Sequence, residues 1–237
     1  MRTGVNIGGS ESMALKGALL VYEGHHGSFV SWHEARLAEN GGAPYLAEAE
    51  PLTTEFLREL AAGLGSRLAP EVLPFNMLVR TPEMLVWWVR ARKQRTMFFA
   101  ESSEAGKELN GKRYPHPPLV FKAAGSELWV RALENDQRPT AKTMLKVAPY
   151  WNTNDAEGRV CIGTMRTPDG DGVEGIEAWE RGFFQSEFTH PYGAARLTSF
   201  PGGFLSLWKH LAGSTEPFPV NYLIDARQTL RDFVEQR

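Results

Sequence analysis

The sequence predicts an α+β fold with the strands early and the helices late. Three observations carry this. Stretches rich in β-branched and aromatic residues crowd the first half, apolar residues at helical spacing return only near the end, and the connections in the first half are short.

Taken in order, "ALKGALLVYEG" and "GSFVSWHEA" read as two strands joined near Gly24 to Gly27, a β-hairpin. A loop rich in Pro and Ala runs to Glu50. "PLTTEFLRELAAGLG" reads as a helix capped by Thr53 or Thr54, with Phe56, Leu57, Leu60 and Leu64 on one stripe and Gly65 beyond the end. That stripe is expected to pack on the strands that follow. "VLPFNMLVR", "MLVWWVRAR" and "TMFFAES" read as an antiparallel β-meander linked by residues 81–83 and 93–95. The adjacent Trp87 and Trp88 must then point to opposite faces. "LVFKA" and "LWVRAL" read as further strands, and residues 138–176 as loop. "IEAWERGFFQSEF", "FLSLWKHLAG" and "NYLIDARQTLRDFVEQR" read as helices. The expected domains are a flexible tail (1–13), a β-hairpin extension (14–50) and one larger domain (51–237).

Composition narrows the function. Lys plus Arg number 26 against 28 for Asp plus Glu, net charge -2, which argues against nucleic acid as a partner. No run of about 18 apolar residues is present, so no membrane span is expected. The start has no apolar signal core, and the single cysteine cannot form an internal disulfide, so the expected location is cytoplasmic.

That cysteine, Cys161, lies in "EGRVCIGTM", flanked by Gly158 and Gly163 and preceded by the polar "NTNDAEG". This reads as an exposed loop rather than a core strand. A thiolate is the strongest ordinary nucleophile near neutral pH. It can accept an acyl group from another thioester at little cost, since the bonds broken and made are alike, and then offer it to an amine. The competing reading is a small buried hydrophobe. Upstream stands "YPHPP", in which Pro115, Pro117 and Pro118 stiffen the backbone.

A helix, a meander, Tyr114-Pro115 with Pro117-Pro118, then Gly158, Val160 and Cys161, then helices: this order resembles the ubiquitin-conjugating (UBC) enzymes. "YPHPPLVFKA", "RPTAKTMLKVAPYWN", "GRVCIGTM" and "AWERGFFQSEFTHP" are similar to the bacterial branch, prokaryotic family D, known from PRTRC systems. The resemblance covers the chain from about Leu52. It implies a UBC-like fold, the meander flanked by an N-terminal helix and C-terminal helices, with the hairpin as an addition. It implies Cys161 as the catalytic thiol, carrying a ubiquitin-like protein received from a ThiF-like activating enzyme, with a JAB-type isopeptidase in the same pathway. Tyr114, Pro115, Pro117 and Pro118 become a wall of the active site. A non-catalytic UBC-like binding module of a PRTRC plasmid or genomic island is the alternative, and a thiol hydrolase a third.

The pattern also departs from the family. The usual Asn eight residues before the cysteine is Thr153 here, flanked by Asn152 and Asn154, the candidates for oxyanion or loop support. Pro149-Tyr150-Trp151 replaces the usual His-Pro. Tyr114 and Cys161 are 47 positions apart (161 − 114), so the intervening segment is expected to add a strand and a loop. His190, in "FTHPYG", is a candidate base or modulator of the thiol, or merely a helix-terminal residue. His25, His26 and His33 have no metal spacing, and Asp169 and Asp171 match a calcium loop only superficially, so neither a metal nor a cofactor is expected.

Overall fold

The computed structural model describes residues 4–5, 13–24, 27–38, 43–65, 72–163, 165–168, 173–190 and 196–236. His25, His26, Asp169, Asp171 and most of the expected tail lie outside them. The chain divides into two compact units, residues 1–71 and 72–237.

In the first unit, β1 (Gly4–Val5) pairs with β2 (Met13–Ala14). The expected hairpin is present as β3 (Gly17–Gly24) and β4 (Gly27–Arg36), and β5 (Tyr45–Glu50), within the segment read as loop, adds a third antiparallel strand. Helix α1 (Thr54–Gly65) starts at Thr53, whose hydroxyl accepts from the Phe56 amide at 3.1 Å. Phe56 packs on Trp32 of β4, ring centroids 4.6 Å apart. Phe56 thus has a packing partner inside the N-terminal unit, while Leu57 and Leu60 of the same stripe are exposed there. His33 is held by the Ala47 carbonyl and the Ser31 hydroxyl, both at 2.8 Å.

The second unit is organised by an antiparallel sheet. Its strands are β6 (Met77–Thr81), β7 (Met84–Val89), β11 (Leu119–Ala124), β12 (Glu127–Ala132), β13 (Met144–Val147) and β15 (Asp225–Thr229), in the spatial order β15-β13-β12-β11-β7-β6. Between β7 and β11 the chain makes an excursion: β8 (Arg92–Thr96), β9 (Phe98–Phe99), α2 (Glu104–Leu109) and β10 (Arg113–His116). Residues 93–95, read as a turn, lie inside β8, which pairs with β10 rather than with the meander. Helix α2, absent from the sequence reading, has Ser103 as N-cap. Helix α3 (Ile176–Gln185) leads into β14 (Glu187–Phe188), which runs parallel to β9, and α4 (Gly203–Leu211) follows. The final segment is only partly helical: β15 comes first and α5 (Leu230–Glu235) is one capped turn and a half. Arg227 sits at φ 54°, which breaks the helical course expected there.

Strand alternation sends side chains to two faces. Trp87, Phe121 and Val130 join Phe183, Phe184, Tyr150 and Trp208 in a large aromatic core. Trp88, Val120 and Trp129 face the other way and meet Leu230 and Phe233 of α5. Adjacent Trp87 and Trp88 therefore do separate. The added strand expected between Tyr114 and Cys161 is also present, since β12 and β13 both fall there.

Candidate functional site

The site is built on the turn that follows β13. Tyr150 is buried and stacks on His116, rings 14° from parallel, and the Tyr150 hydroxyl and His116 Nδ1 are 2.7 Å apart. Burial and the Arg95 charge hold the His116 imidazole neutral, its pKa pushed down to about 3. Trp151 stacks on Phe204 of α4. These rings fix where the chain leaves the core. At Asn152 it turns sharply, with φ 63°, a left-handed conformation that Asn tolerates better than most residues.

Residues 152–161 then form a tight loop. Thr153 pairs with Val160 as an antiparallel bridge, and the Cys161 amide donates to the Asn152 carbonyl at 2.7 Å. Asn154 closes the turn: its Oδ1 accepts the Ala156 and Glu157 amides, and its carbonyl accepts the Gly158 amide. Gly158 has φ 77°, and a Cβ there would lie 2.7 Å from the Val130 carbonyl, so a glycine is required twice over. Two ladder bonds, Val130 N to the Gly158 carbonyl and Val160 N to the Leu128 carbonyl, both 2.8 Å, fasten the loop to β12.

A buried cation underpins the same loop. Arg131 of β12 is 0% exposed. Its Nη1 donates to the Asp155 carbonyl at 2.8 Å, its Nη2 to the Ala156 carbonyl at 2.5 Å, and its Nε to Gln228 Oε1 at 3.1 Å. Burial lowers its pKa to about 10, so it stays charged at neutral pH.

Asn152 fastens the opposite side. Its Oδ1 accepts from the Thr189 amide and hydroxyl, its Nδ2 donates to the Glu187 carbonyl at 3.0 Å, and its backbone amide donates to the His190 carbonyl at 3.1 Å. Asn152 therefore stands between Cys161 and His190 in the backbone network. The structure brings these three together and gives the Asn152 side chain the work of holding the segment after α3. Asn154 serves its own turn. Cys161 and His190 are both exposed.

The Tyr-Pro segment lies differently. Tyr114 is fully buried, its hydroxyl donating to the Leu109 carbonyl at 2.6 Å and its ring edge-on to Trp208. Pro115, Pro117 and Pro118 are buried as well. What links this segment to the loop is His116, through Tyr150. Sequence reasoning passed over His116, Tyr150 and Arg131; the one available signal was a charged residue within the apolar run "LWVRAL".

Beyond Cys161, residues 165–168 and the facing side of α3 border an open groove of about 410 Å³. Gly182 lets the two approach closely: a Cβ there would lie 2.6 Å from the Arg166 carbonyl. Arg181 and Gln185 also border a second cleft, of about 1050 Å³, so the two depressions meet along α3. Among the described residues, no three His, Cys, Asp or Glu side chains are grouped to hold a metal, and no helix is long and apolar enough to cross a membrane.

An exposed thiol thus ends a loop pinned to a β-sheet, and helices follow it. No curated protein and no solved structure matches the chain. The family model of prokaryotic E2 family D matches residues 53–226, well over half of the chain, and the chain belongs to that family, an E2-like group associated with ubiquitin-type conjugation.

Proposed function

We propose that Cys161 carries a ubiquitin-like protein as a thioester, receiving it from a ThiF-like activating enzyme and passing it to a target. The observation that carries this reading is the exposed Cys161 at the end of a loop bonded to the sheet on one side and to the segment after α3 on the other.

In the loading step the Cys161 sulfur attacks the carbonyl carbon of the incoming thioester. The tetrahedral adduct collapses and the activating enzyme's thiolate leaves. The exchange is close to balanced in free energy, so accessibility and aim matter more than a strong base. In the second step an acceptor amine attacks, Cys161 leaves as thiolate, and the amine proton passes to solvent or a nearby base. His190, one backbone neighbour away across Asn152, is the candidate for that role. Asn152 acts as loop support, Asn154 as the turn residue. The Tyr114 to Pro118 segment backs the loop through the His116–Tyr150 contact. The groove along α3 suits an extended C-terminal tail. Residues 51–237 make up the conjugating domain and the strands before them an extension. A cytoplasmic setting, in a PRTRC system with a JAB-type isopeptidase, completes the reading.

The test mixes the chain with its candidate activating enzyme, ubiquitin-like protein and ATP, and reads a non-reducing gel. A thiol-sensitive adduct is expected on the wild type. Cys161→Ser should give a thiol-resistant oxyester, because an alkoxide leaves less readily than a thiolate, and Cys161→Ala none. An adduct that persists in Cys161→Ala, or none on the wild type, rejects the carrier role.

A further inference from the structure

We propose that Arg131, Gln228 and Gln236 are positioning residues for Cys161, coupling the C-terminal strand and helix to the loop that bears the thiol. Five hydrogen bonds close a ring. Arg131 donates to the Asp155 and Ala156 carbonyls and, through Nε, to Gln228. Gln228 Nε2 donates to Gln236 Oε1 at 2.7 Å, and Gln236 Nε2 donates to the Glu157 carbonyl at 3.3 Å. Three consecutive loop carbonyls, 155 to 157, are thereby held by side chains from β12 and the residue after α5, which Gln228 of β15 joins to each other.

The chemistry suits aiming. A guanidinium presents its donors in a rigid fork, so two adjacent carbonyls are fixed in direction as well as distance. Gly158, the next residue, fits only because it lacks a Cβ, which would lie 3.0 Å from Arg131 Nε. From Gly158 the chain reaches Cys161 in three residues, and the Cys161 amide is tied across to Asn152. The loop thus has two fixed points leading up to the thiol, one at residues 155–157 and one at the Cys161 amide.

The ring is separable from the fold. Helix α5 is anchored on the sheet independently, by Leu230 and Phe233 in the apolar cluster and by Lys122, whose ammonium donates to the Phe233 and Gln236 carbonyls. Removing the two glutamine side chains opens the ring and leaves these anchors in place.

The functional consequence rests on the carrier reading, so the test has one arm that does not. The full-length Gln228→Ala/Gln236→Ala variant is compared with wild type in amide hydrogen exchange over residues 154–161. It is also compared in acyl exchange with a Gly-Gly-ended peptide activated as a mercaptoethanesulfonate thioester, and in alkylation of Cys161 by iodoacetamide. Loop amides are expected to exchange at least about tenfold faster, with β7 and β11 unchanged. Acyl exchange is expected to slow by about tenfold or more, because misplacement of about 1 Å can cost about 100-fold. Alkylation by the small reagent should stay within about twofold. Loop exchange unchanged from wild type overturns the proposal, as does a parallel fall of acylation and alkylation with loss of the cooperative melt. If the wild type takes up no acyl group, the carrier reading fails and the hydrogen-exchange arm still decides the coupling.

Discussion

The two faces of the central sheet of the second unit are both covered, but by different means. One face meets α3 and α4 through rings: Trp87 stacks on Phe121 at 5.3 Å, and Tyr150, Phe183, Phe188 and Trp208 surround one another. The other face meets α5 through apolar contacts and Lys122, whose ammonium donates to the Phe233 carbonyl, and carries a second buried cation, Arg131, whose guanidinium donates to the Asp155 and Ala156 carbonyls of the thiol loop. Ring packing is short-ranged and weakly directional, so it supplies stability. Cation-to-carbonyl bonds are directional, so they specify where a particular piece of backbone lies. The thiol loop touches both systems. It departs from the aromatic face at Tyr150 and is aimed from the other face by Arg131.

Four experiments press on this contrast. Trp208→Ala, in the middle of the aromatic face, is expected to cost about 3–5 kcal/mol in chemical denaturation; a loss under about 1 kcal/mol would deny that face its stabilising role. Arg131→Met keeps the volume and abandons the Asp155 and Ala156 carbonyls, with an expected cost of about 1–3 kcal/mol and a larger proportional loss in Cys161 acylation. Equal losses in the two would mean that the cations serve stability alone.

The third experiment is an acid titration. His116, on the aromatic face, has a folded pKa of about 3, below the ordinary imidazole value of about 6.5. The unfolded chain therefore binds the extra proton first. The contribution is fully present above about pH 6.5 and declines as pH falls toward about 3, by at most about 1.4 kcal/mol per pH unit. His116→Gln should flatten that slope, as read by denaturant midpoints between pH 4 and 7. Arg131, whose pKa burial lowers only to about 10, is charged across that range and adds no slope. The smallest stability effect is expected for Cys161→Ala, within about 0.5 kcal/mol, because an exposed loop thiol packs against little; a shift above about 1 kcal/mol in the melting analysis would make it a packing residue.

Legibility in the sequence followed the same divide. Apolar spacing gave the hairpin, α1, α3 and the opposed Trp87 and Trp88, because burial leaves a periodic trace, while the flanking glycines and polar residues gave the exposed setting of Cys161. Residues 221–237 were read as one helix because Leu223, Leu230 and Phe233 keep a helical period; a strand with Arg227 in the left-handed region carries no such mark. Strand β13 was lost in a stretch whose turns and polar residues outnumber its Met144–Val147 core. The strand readings of "LVFKA" and "LWVRAL" carried no sign that Lys122 and Arg131 would be buried. The partners that hold them are distant, α5 for Lys122 (233 − 122 = 111) and the 155–156 carbonyls with Gln228 for Arg131, and no local pattern encodes a cover that distant. Asn152 and Asn154 were flagged by their spacing to the cysteine, but which of them reaches the segment after α3 depended on a backbone turn invisible in composition.

The ring through Gln236 also bears on the order in which the molecule is made. The thiol loop leaves the ribosome well before its last bracing residue, 75 positions earlier (236 − 161). During that interval the sheet can pair and the rings can collect, since domains begin to fold during synthesis. The loop itself must wait. A nascent chain therefore exposes Cys161 before its loop is braced, and the bracing is complete only when β15 and α5 have docked.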